Sequence, residues 1–158
     1  MSKKKRIVDS EEGYSTLIER DFTALAQAGT LPVGHGLDVP VAEIASLLTR
    51  GGKAPLLAGD QGVGKSAIVQ ELARRVAEGL AGEALAGIRI LEVTAAGIFA
   101  RTSGPKAAAE LFEEMLEHLA AGGPTLVFLR DVAITQGTSL IPVLIRALRA
   151  GRLKFVFE

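Results

Sequence analysis

The stretch "LLAGDQGVGKSAIVQELARRV", Leu56 to Val76, sets three glycines and a lysine between a short apolar run and a segment with helical spacing. Within it Gly59, Asp60, Gln61, Gly62, Val63, Gly64, Lys65 and Ser66 fit G-x-x-x-x-G-K-[ST]. Each residue type has a physical task in such a loop. Glycines let the backbone curl until its N–H groups converge on phosphate oxygens. The helix that follows aims the positive end of its dipole at the same anion. Lys65 can reach the terminal phosphates of a nucleotide, and the Ser66 hydroxyl can ligate Mg²⁺. A glycine-rich turn with an incidental Lys-Ser would not need to lie between a strand and a helix, as this one does. The eight residues are therefore the candidate nucleotide-binding set, with Lys65 a candidate catalytic residue and Ser66 a candidate metal ligand.

Working outward, "APLLAG" reads as a strand and Lys65 to about Gly79 as a helix with Ile68, Val69, Leu72 and Val76 on one face. "IRILEVTA" reads as a strand and "GPKAAAELFEEMLEHLAAGG" as a helix with Pro105 in its first turn. "TLVFL" is a strand, "SLIPVLIRALRAG" a helix capped by Ser139, and "LKFVFE" a final strand. Four strands joined by helical crossovers imply a parallel sheet covered on both faces, a three-layer α/β domain. Upstream, "STLIERDFTALAQAGTLP" reads as a short helix capped by Ser15 and stopped by Gly29, and "DVPVAEIASLLTRGG" as a second helix. Three regions follow: a polar, disordered N-terminus over 1–14, helices and a loop over 15–52, and a phosphate-loop core over 53–158.

Composition narrows the function classes. Of 158 residues 48% are hydrophobic and 23% charged, with Lys plus Arg and Asp plus Glu at 18 each, so no global charge points to nucleic acid or an anionic membrane. There is no cysteine, which removes disulfides, thiolate metal sites and cysteine nucleophiles together. No run reaches the roughly 18 apolar residues of a membrane span, and "MSKKKRIVDSEEGYS" lacks the apolar centre of a secretory leader. A soluble, cytoplasmic protein is the expectation.

The stretch "APLLAGDQGVGKSAIVQELARRVAEG" resembles the nucleotide-binding core of AAA+ ATPases, in particular the first ATPase module of the Clp-type protein unfoldases. "RDFTALAQAGTLPVGH" upstream is similar to the segment that precedes that core, and "IRILEVTAAGIFA" and "LRAGRLKFVFE" stand in the places of its second strand and of a later one. The resemblance spans about Leu17 to Glu158. It implies ATP or ADP with Mg²⁺ as ligands, Val33 and Gly34 near the adenine, a ring-shaped homo-oligomer as the active form, and a protein partner or substrate. It further implies a fifth strand and a helical lid beyond Glu158, so that the core would be incomplete at its C-terminus.

Two positions depart from the family pattern. Its Walker B strand ends in Asp-Glu, the first holding the Mg²⁺ shell and the second polarising the attacking water. "TLVFLRD" puts Arg130 and Asp131 there. A guanidinium does not deprotonate and cannot replace a carboxylate; it must turn away, contact phosphate, or weaken metal binding. Asp131, one methylene shorter than Glu, is the remaining candidate catalytic carboxylate. A one-residue slip would make Asp131 the metal aspartate, but it inverts the strand's alternation unless a bulge absorbs it and leaves Val132 as the base. Where unfoldases carry a gripping aromatic, this chain has "RTSG", Arg101 to Gly104. Two readings stay open: an ATPase module with weak or absent hydrolysis, or a nucleotide-dependent scaffold that docks partners without turnover.

Overall fold

A computed structural model describes residues 14–158. Strand β1 (Ile18–Asp21) leads directly into helix α1 (Phe22–Gln27), and α2 (Asp38–Thr49) and α3 (Lys65–Ala77) follow. Strand β2 (Arg89–Thr94), α4 (Ala95–Ala100), α5 (Pro105–Ala121), β3 (Thr125–Arg130), α6 (Leu140–Ala150) and β4 (Lys154–Phe157) complete the order. The sheet runs β1-β2-β3-β4, with β2, β3 and β4 parallel and β1 antiparallel to β2.

The sheet is covered on both faces because its strands alternate two apolar sets. Leu91, Val93, Val127, Leu129 and Phe155 pack with Phe112, Met115, Val143 and Leu144 of α5 and α6. Ile90, Leu126, Phe128 and Val156 pack with Phe22, Val41, Ile44, Val69 and Leu72 of α1, α2 and α3. Each buried Leu, Ile or Phe contributes about 1.5–3 kcal/mol, so the alternation itself holds the register. The expected three-layer α/β architecture is the one found. No helix among the described residues is long and apolar enough to cross a membrane.

Three expectations are corrected. The helix expected from Ser15 to about Gly29 is divided: Ile18–Asp21 pairs with β2, and Asp21 rather than Ser15 caps α1, its Oδ1 accepting from the Ala24 amide at 3.0 Å. Pairing satisfies the open edge of β2, and Arg89 to Asp21 at 2.9 Å and Arg20 to Glu92 brace the two strands. Secondly, "APLLAG" is not a full strand. Leu57 donates to the Phe157 carbonyl and Phe157 to the Pro55 carbonyl, both at 2.8 Å, in a single parallel bridge at the edge of β4. Pro55 has no N–H to extend the ladder and Gly59 begins the loop. Thirdly, Ser139 stands at the N-cap of α6 as expected, but its side chain makes no capping bond: the Leu140 amide donates to Thr138 Oγ1 at 3.3 Å, while the Ser139 hydroxyl donates to the Pro105 carbonyl. The expected disorder of 1–14 lies almost wholly outside the described residues, except that Tyr14 is buried in the core.

Candidate functional site

The single bridge to β4 delivers the chain into the loop Gly59–Ser66 beside the C-terminal ends of β3 and β4. Gly62 and Gly64 hold φ values of 87° and 92°, a region costly for residues with a Cβ, and Gly64 is also the N-cap of α3. Among the described residues the amides of Gly62, Gly64, Lys65 and Ser66 have no protein acceptor. The loop curls around Lys65, whose Nζ donates to the Gly59 carbonyl at 2.7 Å and the Asp60 carbonyl at 2.9 Å. Amides without a protein acceptor, a helix N-terminus and one ammonium make a donor set that fits the phosphates of a nucleotide.

A network of charges lies against this loop. Arg130 ends β3 on the same face as Leu126 and Phe128, and the β2–β3 register runs unbroken from Arg89 opposite Thr125 to Thr94 opposite Arg130. No bulge supports the slipped alignment. The Arg130 guanidinium turns to carboxylates: Nη1 donates to Glu92 Oε1 at 3.2 Å and Nε to Glu158 Oε2 at 3.1 Å. The Glu92 side chain is only 2% exposed, and its Oε1 also accepts from Arg20 Nη2 at 2.9 Å. That hydrogen bond makes the Arg20 guanidinium hold its proton more tightly than usual. Glu158 then reaches the phosphate loop, with Oε2 accepting from the Ser66 hydroxyl at 3.3 Å and Oε1 lying 3.7 Å from Lys65 Nζ.

The expected adenine-side residues behave differently from each other. Val33 is exposed, whereas Gly34 packs against α3 and its amide donates to Glu71 Oε2 at 3.2 Å. A Cβ on Gly34 would meet Leu37 Cδ1 at 2.5 Å and Glu71 Cβ at 3.3 Å. Glu71 is buried and also accepts from Arg74 at 2.7 Å and Arg75 at 2.9 Å. The hydrogen bond from Arg74, aided by those from Arg75 and Gly34, lowers its carboxyl from about 4.5 to about 2. A lowered folded-state pKa stabilises above the unfolded value, so this contribution is full above about pH 4.5 and is lost as pH falls toward about 2. Replacing Glu71 with Gln is expected to cost about 1–3 kcal/mol at neutral pH and to flatten the acid limb of the stability profile. Urea unfolding at pH 7 and pH 3 reads both; equal losses at the two pH values would refute the assignment.

No family model matches the chain. It is 32% identical over 163 residues to the chaperone protein ClpB of Meiothermus ruber, covering 89% of this chain and 19% of that protein. It is 28% identical over 140 residues to the ATP-dependent Clp protease ATP-binding subunit ClpC of Staphylococcus saprophyticus, covering 87% and 17%. The chain thus spans about a fifth of the length of these relatives. Its fold matches the Hsp104–ADP complex of S. cerevisiae with a TM-score of 0.81 over 91% of this chain and 26% of that one, at 23% identity. This chain is a Clp-type AAA+ module.

Within the module, the candidate residues are brought together unevenly. Gly59 to Ser66 form one continuous loop, but the side-chain ion pair and hydrogen bond that Lys65 and Ser66 make beyond it go to Glu158, and none goes to Asp131. Asp131 is the one non-glycine residue with positive φ among those described, at 57°, as the chain turns from β3 into a short 3₁₀ turn over Val132–Thr135. The RTSG segment is not an open loop at its start: Thr94 caps α4, and the Thr102 hydroxyl donates to the Ile98 carbonyl at 2.9 Å behind that helix. Glu158, bonded to the candidate loop, and Glu92, linked to it through Arg130, are the charged neighbours that motif reading missed. The signal for Glu92 was available, a single carboxylate inside the apolar run "RILEV" at alternation with Ile90.

Proposed function

We propose that this AAA+ module binds ATP and ADP with Mg²⁺ through Gly59–Ser66 and hydrolyses ATP weakly or not at all. The observation that carries the reading is Arg130, bound to Glu92 and Glu158 at the strand end where the family's pattern has its first carboxylate. The loop's amides and Lys65 supply the phosphate site, and Mg²⁺, held through Ser66, would neutralise phosphate charge when bound. Asp131 remains the candidate base, but among the described residues the hydrogen bond of the Ser66 side chain and the ion pair of Lys65 go to Glu158, not to Asp131. Lacking one preorganised electrostatic group commonly costs about 10²–10³ in rate. Turnover is therefore expected far below about one per second. Steady-state phosphate release checks this, and sustained turnover near that rate would overturn the reading of Arg130.

The second reading is a nucleotide-dependent scaffold that docks a partner protein without turnover. It is favoured by the way Arg130 is built into a network with a buried carboxylate, since a merely lost aspartate would need no such compensation. The relatives are named as chaperones and as an ATP-binding protease subunit. A ring-shaped homo-oligomer and a protein partner or substrate, in the cytoplasm, are proposed for this chain by extension. Sizing with light scattering, with and without ATP, tests the ring.

A further inference from the structure

We infer that Glu158 supplies the carboxylate of the divalent-cation site beside Ser66, moving that function from the end of β3 to the end of β4. The inference rests on nucleotide binding at Gly59–Ser66 and goes beyond it by naming the metal's side-chain ligand. Mg²⁺ at phosphate sites is usually held by one or two carboxylates together with phosphate oxygens and water. Ser66 provides the hydroxyl, and three carboxylates are candidates to join it. Glu92 is buried between two guanidinium groups, Arg20 and Arg130, and makes no hydrogen bond or ion pair with Ser66 or Lys65 among the described residues. Asp131 makes no hydrogen bond or ion pair with Ser66 or Lys65 among the described residues. Glu158 already stands at the place required, Oε2 at 3.3 Å from Ser66 Oγ and Oε1 at 3.7 Å from Lys65 Nζ.

Its position is also fixed from behind. The Glu158 amide donates to the Leu129 carbonyl at 3.0 Å, and its own carbonyl accepts from the Val132 amide at 2.9 Å. The backbone of Glu158 is therefore held to both sides of the β3 strand end. Arg130 Nε donates to the same carboxylate at 3.1 Å and orients it, as outer-shell partners orient metal ligands. The cationic residue that cannot ligate a metal thus acts as the positioning residue for the one that can.

The test is calorimetric titration of the whole chain with a non-hydrolysable ATP analogue, once in EDTA and once in Mg²⁺, for the wild type, Glu158→Gln, Arg130→Gln and Lys65→Ala. Mg²⁺ is expected to tighten wild-type binding about 10- to 100-fold, and Glu158→Gln to lose most of that gain, read within each protein as the ratio of its Mg²⁺ and EDTA affinities. Arg130→Gln should keep a larger share of the gain than Glu158→Gln, since it leaves the carboxylate in place; equal losses would mean that Glu158 matters only as the partner of Arg130. A full Mg²⁺ gain in Glu158→Gln would overturn the inference while leaving nucleotide binding standing. Failure of the wild type to bind the analogue, or undiminished binding by Lys65→Ala, would overturn the phosphate-loop reading itself and the inference with it. If Glu158→Gln does not fold, Mn²⁺ bound to the wild-type complex and read by electron paramagnetic resonance settles the ligand: the spectrum should change on Glu158→Asp, and an unchanged spectrum overturns the assignment.

Discussion

Lys65→Ala is expected to lower affinity for ATP and ADP by about 10- to 100-fold or more. The ammonium is a compact point charge with three donors, held inside the loop by the Gly59 and Asp60 carbonyls at 2.7 and 2.9 Å. Those carbonyls are neutral, so a phosphate competes for the same donors with a stronger, charge-assisted bond. One hydrogen bond to a charged group is worth about 1.5–3 kcal/mol, and every 1.4 kcal/mol is a factor of ten in affinity. The helix dipole and free amides stay in the variant, so residual binding is expected. Titration with fluorescent ADP measures the change; equal affinity for the two proteins would remove the phosphate-loop assignment.

The second large effect concerns stability. Restoring the family's acidic pair by Arg130→Asp with Asp131→Glu is expected to destabilise the fold by about 3–5 kcal/mol before any turnover can be assayed. The substitution removes the guanidinium that faces two carboxylates and puts a third carboxylate beside them. Glu92, only 2% exposed on its side chain, would keep Arg20 as its sole cationic partner. The loss should be recovered in part by adding Glu92→Gln, which leaves a hydrogen-bonding side chain of the same shape without the charge. A double-mutant cycle in chemical denaturation gives the coupling between positions 92 and 130, and strict additivity would show that the two side chains do not interact. A gain of ATPase activity on restoring Asp-Glu is thus expected only in the background that also relieves Glu92.

The glycine-rich loop leading into a helix, most of the alternation of α and β elements, the two-sided burial of the sheet and the placement of Arg130 at a strand end were legible in the residues. Each is a local pattern: glycines at left-handed positions, a lysine at a helix start, apolar residues at a period of two or of about 3.6. The division at Ile18–Asp21 was less legible, because a four-residue strand joined directly to a six-residue helix has no period long enough to stand out. Its outcome depended on the open edge of β2, some seventy residues away in the chain.

The charge network was decided by tertiary structure alone. Arg20, Glu92, Arg130 and Glu158 come from four different strands or strand ends, and nothing in their spacing joins them. Only the sheet order puts their side chains on one face, and only burial of Glu92 turns ordinary surface charges into a coupled set. Glu71 gives the same lesson on a smaller scale: its burial follows from the packing of the loop that carries Gly34 against its helix. By itself the sequence singled out Gly59–Ser66 as the candidate phosphate loop, since that chemistry needs a contiguous backbone. Which carboxylate answers Ser66 and which groups neutralise Arg130 were left to the packing of strands, because long-range electrostatic partners are chosen by position in space.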